Sequence, residues 1–181
     1  MTDREFETYW KENRMTILDK NDEYRHAKEN FKIHSGADLI LFGIPVVAGI
    51  VSGVLASLCS VLLLALLFHF DHASYVTFLP KSITTAIGIG VSEELGGHVA
   101  VSVVVIIVTG VLGNIFAEKF LKLLRIQEPI AKGIAIGCSA HALGTAKAME
   151  MGTIEGAMSS LSIVVCGVMT VVGASIFALF M

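Results

Sequence analysis

Leu79-Pro80-Lys81-Ser82-Ile83-Thr84-Thr85-Ala86-Ile87-Gly88-Ile89-Gly90-Val91-Ser92-Glu93-Glu94-Leu95-Gly96-Gly97 is the stretch on which the fold turns. This short polar, glycine-punctuated segment interrupts two long apolar runs. Its apolar part, from Phe78 to Leu95, is short of the roughly 20 residues a spanning helix needs, and both of its ends are polar. A re-entrant or broken helix fits better, because irregular backbone at membrane depth persists only where protein or a water-filled cavity satisfies it.

The flanking runs set the class. Asp38 to Phe68 is a 31-residue apolar stretch, about 46 Å long if wholly helical, against a hydrocarbon core of about 30 Å. Gly49, Gly53 and Ser57 recur at four-residue steps beside Ala48, Ser52, Ala56 and Ser60, a smooth side for close helix approach. Val99 to Ala117 is a second span, with Gly110, Asn114 and Glu118 at four-residue steps, and Ala157 to Met181 a third. Pro129 to Met151 repeats the opening theme: a proline, then Lys132, then Gly133, Gly137, His141 and Thr145, which a continuous helix would place on one face. With 54% hydrophobic and 16% charged residues and a mean hydropathy of +0.74, the chain reads as an all-α integral membrane protein. Three full spans and two broken or re-entrant segments are expected.

Charge divides the chain. Residues 1–36 hold 15 of the 29 Asp, Glu, Lys and Arg, so a charged arm is expected over 1–36 and a membrane domain over 37–181. Lys119, Lys122, Arg125 and Lys132 make the most basic short connection of the membrane part, which the positive-inside rule assigns to the cytoplasm. If the opening stretch returns to the side it entered from, the arm is cytoplasmic too. No cleavable signal peptide is recognisable, so internal apolar segments are expected to direct insertion.

Several functions are disfavoured. A net charge of −3 without a basic, aromatic-interleaved stripe argues against nucleic acid. Cys59, Cys138 and Cys166 lack CxxC spacing and read as buried thiols. His69, Asp71 and His72 read as a helix end in water rather than a metal site. No paired carboxylates on a soluble scaffold suit a glycan hydrolase. No enzyme activity, cofactor or metal is therefore expected.

The two broken segments echo one another. Ile89 to Gly97 resembles Ile136 to Thr145 with one residue inserted, and each copy follows a proline and a lysine and precedes a long apolar span. Paired, glycine-interrupted short segments are a sequence pointer to a transporter site near the bilayer midplane. A small carboxylate there needs positive charge and hydroxyl or N–H donors. Lys81, Ser82, Thr84, Thr85, Ser139, His141, Thr145 and Lys147 are the candidate contacts. Glu93 and Glu94 each cost roughly 2.5–3.5 kcal/mol if ionised at mid-membrane, so they are candidates to sit at the interface or carry a proton.

These same residues resemble the LrgB family of antiholin-like membrane proteins, also called CidB/LrgB. The likeness rests on Leu79 to Ile87, on Leu123-Leu124-Arg125-Ile126 with Pro129 to Gly133, and on Ser139 to Gly152 continuing through Glu155 to Leu161. It covers roughly residues 40–181. The resemblance implies a multi-pass protein of the bacterial inner membrane, linked to murein hydrolase control and lysis, with an LrgA-type partner or a homo-oligomer. It also implies transport of small monocarboxylates of the pyruvate or glycolate type, the alternative being a non-transporting regulatory subunit that acts by helix association. Family members usually carry further apolar segments before the one near Asp38, where this chain has its charged arm. A shortened front would need a partner or second copy to complete a transport path.

Overall fold

The computed structural model describes the backbone of residues 36–181 and the side chains of residues 43–181. The charged arm expected over residues 1–36 lies outside them apart from Gly36. The chain divides into units Met1–Ile40 and Leu41–Met181, and the side-chain packing described lies within the second. The described elements are α1 (Gly36–Phe68), α2 (His72–Phe78), α3 (Thr85–Glu94), α4 (Val99–Leu123), α5 (Pro129–Met151) and α6 (Thr153–Phe177), closed by a 3-10 turn over Ala178–Phe180. No strand occurs among the described residues.

Three stretches, Gly43–Phe68, Val99–Leu123 and Thr153–Phe180, are long and apolar enough to cross a membrane. Much of their apolar surface faces outward: Val164, Val168 and Val172 of α6 are all well exposed. Such a four-residue outward stripe suits hydrocarbon and would be costly in water.

Three of the turns between helices are made by one device. After α1, His69 takes φ 53° and Phe70 N–H bonds Ala65 C=O at 2.9 Å; after α4, Arg125 takes φ 57° and Ile126 N–H bonds Leu121 C=O at 2.9 Å. After α3, Gly96 takes φ 78° and Gly97 N–H bonds Ser92 C=O at 2.7 Å. Each is a left-handed residue followed by the six-to-one bond of a Schellman cap, which satisfies a carbonyl the helix leaves unpaired. At the other end of the α4–α5 connection, Pro129 starts α5 where its missing N–H costs nothing.

The first re-entrant hairpin is α2, the turn Leu79 to Thr84, and α3. Its return is recorded by contacts: Thr77 Oγ1 accepts from His98 N–H at 2.7 Å, Ser102 Oγ bonds Thr77 C=O at 2.8 Å and Ser92 Oγ at 2.7 Å. Gly88 faces Pro80 across the turn. Tyr75, Leu79 and Ile83 of the hairpin are fully buried among Ile50, Val54 and Leu58 of α1 and Cys166 and Ala174 of α6. Tyr75 OH donates to Phe177 C=O at 2.9 Å, placing the base of this hairpin beside the end of α6.

The second hairpin lies within α5. His141 has φ 42° and ψ −138°, and the chain reverses there. Before it, Gly133 abuts Glu155 and Ser159 and Gly137 abuts Ser159 and Ser162, so this arm runs parallel to α6. After it, Thr145 meets Ser159 and Met149 meets Gly156, so the returning arm runs antiparallel. An unbroken helix would hold Lys132 and Glu150 about 27 Å apart, whereas both line one small space of about 510 Å³. The expectation that Gly133, Gly137, His141 and Thr145 share one helical face is thereby corrected: the first two lie on one arm, His141 at the tip and Thr145 on the other arm.

Candidate functional site

The two hairpins enter from opposite ends of α4 and converge on it. Gly88 of the first packs on the Ile106 side chain, and His141 Nε2 of the second donates to Ile106 C=O at 2.9 Å. Because a carbonyl only accepts, the Nε2–H tautomer is the one held. Ser57, level with the first tip, stands 11 residues from the end of α1, about 16 Å along the helix, or near half of a 30 Å hydrocarbon core. Both tips thus bring irregular backbone to mid-depth, where protein or a water-filled cavity must satisfy it.

A cavity of about 1300 Å³ opens where the tips face α1 and α4, with Ser57, Lys81, Ser82, Thr109, Gly113 and Ser139 among its lining residues. Most of the remaining wall is apolar. Lys81 Nζ donates to Ser57 Oγ and to Ser82 Oγ, each at 3.1 Å, and the two hydroxyls are 2.9 Å apart. Among the described residues no carboxylate pairs with Lys81. An ammonium has three N–H donors, so two serines leave one for a ligand. Ser139, on the second hairpin just before its tip, hydrogen-bonds Ala135 C=O at 2.7 Å and offers its oxygen as an acceptor on the opposite wall.

The remaining candidates fall elsewhere. Thr84 precedes and Thr85 begins α3, both partly exposed, and neither lines the cavity. His141 is buried and holds the second tip to α4, while Asn114 Nδ2 donates to Leu143 C=O at 2.7 Å just beyond the reversal. Thr145 donates to His141 C=O at 2.9 Å and is 2.7 Å from Ser159 Oγ, whose proton completes the chain of bonds. Each of these side chains bonds a main-chain carbonyl, one within α4 and two at or just after the reversal. Lys147 lies at the base of the returning arm, paired with Glu118 at 2.9 Å and Glu150 at 3.1 Å. Lys132 and Glu155 are 3.8 Å apart in the same charged region. Glu93 and Glu94 are exposed at the outer end of α3.

Of the eight candidates grouped from the sequence, the structure brings Lys81, Ser82 and Ser139 to one cavity and places the rest elsewhere. Sequence reasoning missed Ser57 as a site residue, having read it only as part of a small-residue stripe. The available signal was a hydroxyl recurring with Ser52 and Ser60 inside an otherwise aliphatic span.

A family model for the LrgB-like family matches residues 38–180. The chain is 40% identical over 126 residues to "Uncharacterized protein YxaC" of Bacillus subtilis (strain 168), covering 70% of this chain and 55% of that protein. It is 39% identical over 132 residues to "Antiholin-like protein LrgB" of the same organism, covering 73% and 57%. The protein of that name from Bacillus cereus (strain B4264) is 38% identical over 135 residues, covering 75% and 59%. The chain therefore spans somewhat over half the length of the curated relatives it matches. No solved structure matches. Three apolar spans, two opposed re-entrant hairpins and a family match running from the first turn of α1 to the last turn of the chain make this a multi-pass membrane protein belonging to the LrgB-like family.

Proposed function

We propose that the cavity between the hairpin tips binds a small monocarboxylate and that the chain is a component of an inner-membrane transporter or channel for such acids. The observation that carries this reading is Lys81: an ammonium at mid-depth, held by two hydroxyls, with no carboxylate partner among the described residues. A bare cation there costs roughly 2.5–3.5 kcal/mol, a cost that an anionic ligand offsets. The ligand carboxylate takes the third ammonium donor, Ser57 and Ser82 hold the ammonium in place, and Ser139 contributes a hydroxyl from the facing hairpin. The apolar wall suits a short aliphatic body. No bond is made or broken in this scheme, so the chain is read as a non-enzyme.

The orientation follows from Lys119, Lys122, Arg125 and Lys132, which cluster where α4 ends and α5 begins. In a bacterial inner membrane the positive-inside rule puts that end in the cytoplasm. Residues 1–36 would then be a cytoplasmic arm joined to a membrane domain over 37–181. In this reading the chain works with a second copy or an LrgA-type membrane protein, and control of murein hydrolases would follow downstream of transport.

A second reading is favoured by the relatives' printed name, antiholin-like: a regulatory subunit that acts by helix association and moves no solute. Titration of the purified full chain in detergent with glycolate and with glycolamide separates the two. The transporter reading expects saturable binding of the acid and none of the isosteric neutral amide. Equal affinity for both, or none for either, would favour the regulatory subunit.

A further inference from the structure

Cys138 sits on the entering arm of the second hairpin and Cys166 on α6, and both are buried. Their sulfurs are 2.8 Å apart, with the Cys166 S–H donating to Cys138 Sγ. Backbone packing makes this approach: neighbouring Gly137 lies directly against Ser159 and Ser162, and Gly53 of α1 leaves room where a side chain would come within 3.0 Å of Cys138 Cβ. Buried free thiols ordinarily behave as small apolar groups. Two of them brought sulfur to sulfur are arranged for chemistry that needs both. Cys138 also lines the 1300 Å³ cavity, whereas Cys166 does not.

We propose that Cys138 and Cys166 form a dithiol site that a small hydroperoxide oxidises to a disulfide, joining the second hairpin to α6 at the cavity wall. The Cys138 thiolate attacks a peroxide oxygen, the O–O bond breaks, and the Cys138 sulfenic acid and an alcohol (or water) result. The Cys166 sulfur then attacks the Cys138 sulfur, its proton leaves with the departing hydroxide as water, and the S–S bond forms. Two thiols and one hydroperoxide thus give one disulfide, one alcohol and one water, the peroxide taking the two electrons. Cys138 reacts first because it lines the cavity and Cys166 does not. The product fixes the arm carrying Ser139 against α6. Formation of this bond does not depend on the carboxylate reading.

The test uses the unaltered chain in its membrane. After treatment with cumene hydroperoxide, acid quench, denaturation and alkylation with N-ethylmaleimide, intact mass is read. The expected product has lost two hydrogens and carries one alkyl group, on exposed Cys59, and reduction restores two more alkylation sites. Three alkylated cysteines after oxidation, or a disulfide that includes Cys59, would overturn the proposal. The order of attack is read with dimedone: Cys166→Ser leaves a trappable sulfenic acid at Cys138, and Cys138→Ser leaves none at Cys166. An adduct at Cys166 instead would contradict the assigned roles. Because the disulfide is read on the unaltered chain, poor folding of either variant does not obscure it.

Discussion

Lys81 Nζ stands 3.1 Å from Ser57 Oγ, so a charge from the tip of a re-entrant hairpin is anchored to the middle of the first span. The bond joins elements 24 residues apart in sequence and sets the wall of the cavity.

On the proposed reading, this arrangement trades stability for a charge that binds the ligand. Lys81→Met keeps the aliphatic stem and removes the ammonium, and it is expected to stabilise the ligand-free protein by about 1–3 kcal/mol, since an unpaired charge leaves the apolar region. The same variant is expected to lose carboxylate binding. Thermal unfolding in detergent without and with glycolate reads both signs; a less stable ligand-free variant would speak against an uncompensated cation.

His141 ties the second tip to α4 from an unfavourable backbone state. His141 at φ 42° donates to Ile106 C=O. In His141→Ala the backbone cost, of order 1–3 kcal/mol, stays while the bond to Ile106 C=O is lost at a further cost of about 0.5–1.5 kcal/mol. His141→Gly loses the same bond yet relaxes the backbone, so it is expected to melt at a higher temperature than the alanine variant. The reverse order in a thermal melt would mean that the reversal at residue 141 is not the source of strain.

The parallel arm depends on backbone contact with α6. A Cβ on Gly137 would lie 2.5 Å from Ser159 O and 2.8 Å from Ser162 Cβ. Gly137→Val is expected to destabilise by about 1–3 kcal/mol or more through overpacking. Gly90→Ala, where a Cβ meets nothing within 4 Å, is the matched control and should be close to neutral. Equal losses in both would remove the close-approach argument.

Lys147 separates the two lysine candidates. It is held by Glu118 and Glu150 at the base of the returning arm, and exposed pairs of this kind contribute little. Lys147→Ala is expected to leave both the melting temperature and glycolate affinity nearly unchanged. A loss of binding comparable with that of a Lys81 variant would place the site at the charged base instead.

Much of this architecture is legible from charge and length. Three aliphatic runs bounded by polar residues announce the spans, and Leu79 to Gly97 is too short and too polar to be a fourth. Fewer signals marked the second hairpin. Neither glycine nor proline stands at the reversal, and Ser139-Ala140-His141-Ala142 has ordinary local helix propensity. The informative measure was the spacing of Lys132 and Lys147, whose 15-residue separation reaches about 22 Å as a helix, short of a 30 Å core.

The α4 stripe shows why the site was only half readable. Gly110, Asn114 and Glu118 recur as a face in the sequence, and the structure sets them against His141, Leu143 and Lys147 on the returning arm. Periodicity gave the face; only the reversal gave its partner. Likewise, hydroxyls suited to a ligand and hydroxyls that bond main-chain carbonyls are the same residue types, so Thr145 could not be told from Ser82 before the helix break was located.

Uptake of labelled glycolate or pyruvate into proteoliposomes, compared between the unaltered chain and Lys81→Met with any required second subunit present in both, bears most directly on the central claim. Saturable uptake that Lys81→Met reduces at least about tenfold, the equivalent of a 1.4 kcal/mol loss, is the predicted result. Saturable uptake indifferent to Lys81→Met, or no saturable uptake at all, would contradict a carboxylate site between the hairpin tips.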